Sequence, residues 1–77
     1  MDLESKRIKI KKITDSGAFI QLDTDQGVFS FWKERKDRQQ TKAYDQFRDL
    51  DLAEGNEVEA FYKVNGKFKN IVFFGEE

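Results

Sequence analysis

Arg7-Ile8-Lys9-Ile10-Lys11 alternates strictly between basic and apolar residues. Ile8 and Ile10 share one face and the three cations the other, as in a half-buried strand. Residues 1–5 read as a loose end. Lys12 breaks the alternation before Ile13, predicting a bulge or bend that carries the strand to a second edge of a curled sheet. Asp15-Ser16-Gly17 predicts a turn, and residues 18–23 a second strand. Ala18, Ile20 and Leu22 would share one face of it, Phe19 and Gln21 the other. Residues 23–27 read as a hairpin loop ending in glycine. Residues 28–32 form a third strand, with Phe29 and Phe31 on one face and Val28, Ser30 and Trp32 on the other. Two registers are open here. With the two phenylalanines inward, Trp32 points out beside Phe19; one residue off, Trp32 is core and the phenylalanines are surface.

Residues 33–40 hold no apolar residue and show no period, so an exposed, mobile loop is expected. Thr41 is a fitting N-cap for a helix over residues 42–50. Its apolar stripe, Ala43, Phe47 and Leu50 with Tyr44 beside them, would plug something. Residues 52–56 turn the chain. Residues 57–63 form a fourth strand, with Val58, Ala60 and Tyr62 opposite Glu59, Phe61 and Lys63. Asn65-Gly66 is the strongest hairpin signal in the chain. Residues 67–74 form a fifth strand, with Ile71 and Phe73 inward and Phe68 and Phe74 on the opposite face unless a bulge intervenes. The order β-β-β-α-β-β predicts a mainly β domain over residues 1–77: a small five-stranded barrel with one helix between strands three and four.

Composition narrows the chemistry. A chain of 77 residues makes one domain and buries only about 60% of its unfolded surface. With no cysteine and no histidine, disulfides, thiolate zinc sites and Ser-His or Cys-His nucleophiles are excluded. No apolar run approaches the length of a membrane span, and the N-terminal residues lack a signal-peptide core, so a cytoplasmic protein is expected. Asp23, Asp25, Glu34 and Asp37 have no spacing that requires a metal, and no phosphate-binding glycine loop exists. No enzyme and no cofactor is expected.

The net charge of −1 hides a segregation: residues 6–12 carry five cations and no acid, residues 33–42 five cations and two acids, and residues 43–62 six acids and one arginine. Such a distribution is expected of a nucleic-acid binder whose net charge is near zero.

The strand order, the helix position and the segment Leu52-Ala53-Glu54-Gly55-Asn56-Glu57-Val58 resemble an OB-fold over nearly the whole chain. With Asn65-Gly66 and Phe68-Lys69-Asn70-Ile71, that segment also resembles the last hairpin of small OB proteins that bind single-stranded DNA, including those of phages and mobile elements. The chain is shorter than many of these and lacks their C-terminal recruitment tail; Gly75-Glu76-Glu77 is acidic but short. The resemblance implies a binding face on strands two and three with the loops between strands one and two and between four and five. Phe19 and Trp32 are then the outward stacking residues, with Phe61 and Phe68 as further candidates on strands four and five. Lys33, Arg35, Lys36, Arg38 and Lys42 would ring that face after strand three. Lys63, Lys67 and Lys69 would edge the last hairpin, while Lys9 and Lys11, with Arg7, line the first strand.

The reading is a non-catalytic binder of single-stranded DNA, with RNA as a close variant. The alternative is a protein-interaction module that uses the exposed aromatic face or the acidic helix side. Each residue also has a plainer role: Phe61 and Phe68 could pack on each other across the hairpin, and the basic stripe of strand one could be solvent face or a protected edge. Exposed aromatics and edge strands are compatible with a homodimer.

Overall fold

Glu4–Asp15 forms one long strand, β1, that serves two partners. In the computed structural model, which describes residues 3–75, its first half pairs antiparallel with β4 (Glu57–Asn65) and its second half with β2 (Phe19–Thr24). The register slips by one residue between Ile10 and Lys12, where the broken alternation predicts a bend. Glu4 and Ser5, expected to be loose, belong to the strand because they lie opposite Tyr62 and Phe61.

A tight loop at residues 25–26 joins β2 to β3 (Gly27–Trp32), closed by Thr24 Oγ1 donating to the Gly27 carbonyl at 2.7 Å. The strand β5 (Phe68–Gly75) pairs antiparallel with β4 and meets β3 in parallel at Ser30 and Asn70. The ring order β1-β2-β3-β5-β4 therefore closes on itself. Each strand pairs with two others, but each half of β1 has one partner and β3 meets β5 at a single bridge, so strand edge remains unpaired along part of the ring.

Phe29 and Phe31 are at most 1% exposed, whereas Trp32 is 53% exposed, which settles the register of β3. The alternation of β1, β2 and β4 sends Ile8, Ile10, Ile20, Leu22, Val58, Ala60 and Tyr62 into the same core. Ala18 is a correction: it precedes β2 and is exposed.

β5 holds a second correction. Phe61 faces Phe73 but Tyr62 faces Ile71, so Val72 is an extra residue opposite the β4 ladder. The bulge reverses the facing of the residues after it. Ile71 and Phe74 are buried, and Phe73 instead lies on the outside, stacked on Phe61 at 4.6 Å and 18°.

Helix α1 (Lys42–Asp49) covers one end of the ring. Thr41 caps it, accepting from the Tyr44 N–H, as its sequence position predicts. Ala43 is buried, and Tyr44 and Phe47 pack partly buried against the core. Leu50 does not join them. It is the C-cap, 39% exposed, one turn beyond the point where the helix touches β5. Gln46 takes the inward place instead. Its side-chain amide donates to the Phe74 carbonyl and accepts from the Phe74 N–H, both at 2.7 Å. It thereby completes the hydrogen bonds of a strand segment that lies beyond its single bridge to β3.

Candidate nucleic-acid interface

Trp32 ends β3 on the outer face, directly opposite Phe19 of β2. The rings meet edge to face at 5.4 Å and 67°, a favoured aromatic geometry. The backbone around Trp32 is fixed on both sides. Thr41 Oγ1 donates to its carbonyl at 2.6 Å, and the next residue, Lys33, donates its N–H to the Ala18 carbonyl. One threonine therefore both starts the helix and mounts the tryptophan.

Phe19, Trp32 and Phe68 line one open groove of about 570 Å³, floored by Gln21, Ser30 and Asn70 and edged by Lys67 and Lys69. Phe68 is 71% exposed. It projects from the Asn65-Gly66 hairpin, whose Gly66 takes a φ of 63°, a left-handed conformation that suits glycine. Trp32, Asn65 and Asn70 also line a second groove of about 590 Å³, together with Arg35, Lys42 and Lys63. The two depressions adjoin at Trp32.

The other expected residues separate into those held by local partners and those lying elsewhere. Lys33 is bound to Asp15 at 2.8 Å. This hydrogen bond, with a second from the Gly17 N–H, holds the Asp15 carboxyl below its ordinary value and raises the Lys33 ammonium. Lys33 is thus a partly neutralised cation. Lys69 sits 5.1 Å over the Phe29 ring and donates to the Gln26 carbonyl, which anchors it at the groove edge. Lys42 lies 5.2 Å over Phe73. Lys63 and Lys67 have no side-chain ion pair or hydrogen bond among the described residues.

Phe61 lines neither groove, and the expected packing on Phe68 is corrected: its ring stacks on Phe73 instead. Lys36 and Arg38 also lie outside both grooves. The loop that carries them is folded back as a small hairpin, with a bridge between Glu34 and Gln40 and the Arg35 N–H donating to the Gln39 carbonyl at 2.8 Å. The loop is exposed, as expected, but has a regular turn that its composition does not signal. Lys9 and Lys11 line neither groove, and Arg7 faces Glu57 at 3.5 Å beside a separate depression that also holds Leu50 and Glu59.

Sequence reasoning passes over the groove floor. Gln21, Ser30 and Asn70 are ordinary polar strand residues. The signal available is their period-2 relation to Phe19, Trp32 and Phe68.

Among the described residues no group of three or more acids could hold a metal, and no helix is long and apolar enough to cross a membrane. A scan against protein-family models and searches of curated proteins and of solved structures return no match to this chain.

Proposed function

We propose that this chain is a five-stranded barrel of the OB type that binds single-stranded nucleic acid, DNA in the first place, without catalysis. One observation carries the proposal: three aromatic rings, the half-buried Phe19 and the exposed Trp32 and Phe68, surround one groove with basic side chains at its rim and along the groove beside it. Bases need flat apolar faces, and stacking on an aromatic side chain contributes about 1–3 kcal/mol per base with little regard for sequence. Phosphates need cations, and their contacts make affinity fall with salt. The strand order and the placement of the groove on β2, β3 and the β4–β5 hairpin support the OB reading, whose ligands use that face. The likeness to phage and mobile-element proteins rests on the short sequence segments alone. A cytoplasmic location accords with the reading.

The test is fluorescence anisotropy of a labelled deoxythymidine oligonucleotide. Binding at low salt that Phe19→Ala and Phe68→Ala weaken, and that duplex DNA does not match, supports the proposal. Absence of binding at low salt refutes it.

A protein partner is the second reading, favoured by the apolar exposure of Val28, Val64 and Phe68. Binding through that surface would survive salt and ignore oligonucleotides.

A further inference from the structure

We infer that the two grooves are consecutive nucleotide subsites, with Trp32 as the partition between them. This inference rests on the single-strand reading above. Trp32 lines both grooves, and so do Asn65 and Asn70. On one side of the indole lie the stacking ring of Phe68 and the cation of Lys67; on the other lie the cations of Arg35, Lys42 and Lys63. The first compartment is therefore built for a base and the second chiefly for the phosphates next along the strand.

The backbone beneath the partition is anchored. Its carbonyl is held by Thr41, and the floor beneath it is the point where β3 and β5 meet, at Ser30 and Asn70. Asn65 and Asn70 stand at the shared corner. Each amide offers donors and an acceptor, so either can meet the edge of a base as the strand crosses from one compartment to the next. A molecule only 25–31 Å across leaves room for a short track. The site size falls at the low end of the range for such barrels, about four nucleotides.

The experiment titrates the protein with deoxythymidine oligomers of increasing length, from the dinucleotide upward, following the fluorescence of Trp32. Wild type, Phe68→Ala and the double variant Lys42→Ala/Lys63→Ala are compared, each confirmed folded by circular dichroism. Affinity of the wild type should rise steeply up to about four nucleotides and then level off. Phe68→Ala should weaken every length by about 5- to 150-fold. The double variant should hold the dinucleotide as wild type does. It should bind longer oligomers less tightly, with a salt slope smaller by about 1.4, since each phosphate contact contributes about 0.7. Equal losses at all lengths, or none at any length, would overturn the partition while leaving single-strand binding in place. Failure of the wild type to bind any oligomer would overturn both.

Discussion

Gln46 holds both backbone groups of Phe74. The residue is 7% exposed, and its amide engages the Phe74 N–H and the Phe74 carbonyl, each at 2.7 Å. Replacing it by Met keeps an unbranched side chain of similar length and removes both bonds. The Phe74 backbone is then left with a buried donor and a buried acceptor, each costing about 1–3 kcal/mol. Partial entry of water from the helix side would soften the loss, so about 2–4 kcal/mol is expected for Gln46→Met, and at least as much for Gln46→Ala. A chain of this length has a total stability of about 4–12 kcal/mol, so the loss is a large fraction of it. Thermal unfolding followed by circular dichroism should show a midpoint lower by roughly 10 °C or more. Gln46→Glu sharpens the test. It keeps an acceptor for the Phe74 N–H but sets a carboxylate oxygen against the Phe74 carbonyl. That opposition raises the folded carboxyl pKa, so relative to wild type the variant should recover stability as pH falls. A Gln46→Met stability within about 0.5 kcal/mol of wild type would refute the reasoning, because the Phe74 backbone would then have found other partners.

Phe74→Ala should cost about 3–5 kcal/mol and leave a marginal fold, measured by urea denaturation, because its ring is 1% exposed and packs edge-on against Phe31 at 5.6 Å. Equal replacement of Phe73, which lies on the outer face, should cost clearly less. The Asp15 carboxyl, held down by Lys33, should titrate by NMR at a lower midpoint than in the Lys33→Ala variant. Its contribution is present above the ordinary carboxylate range and disappears as pH falls through the depressed folded value. Asp15→Asn should leave folding intact and remove the ion pair that raises the Lys33 ammonium, so Lys33 should titrate at a lower pH than in wild type by NMR.

Most of the ring is legible in the sequence because strict alternation leaves little choice of face. Ile8 with Ile10, and Phe29 with Phe31, would each have to turn a pair of large apolar side chains outward under any other register. The cross-strand pairing of Phe19 and Trp32 comes from that same register. The features that escape depend on partners distant in the chain. Glu4 and Ser5 have no strand pattern of their own and are ordered by β4. The bulge at Val72 shows only in the β4–β5 register, so the sequence pattern places Phe73 and Phe74 the wrong way round. Gln46 lies at helical spacing from Ala43, but its polarity hides an inward role that only the Phe74 backbone opposite explains. Loop 33–40 is held by its own backbone hydrogen bonds, which composition does not report. The surroundings of the basic residues are hidden for a related reason. Charge position along the chain does not say that Lys33 has Asp15 beside it or that Lys9 and Lys11 lie off the grooves.

The central claim is most directly tested by the fluorescence of Trp32, the only tryptophan, half exposed where the two grooves meet. A deoxythymidine oligonucleotide would be titrated at low salt and again at high salt. The account predicts saturable quenching, with affinity falling about 50-fold between roughly 50 and 200 mM salt if about four cations contact phosphate. Unchanged fluorescence at low salt, with no shift in electrophoretic mobility, would contradict it.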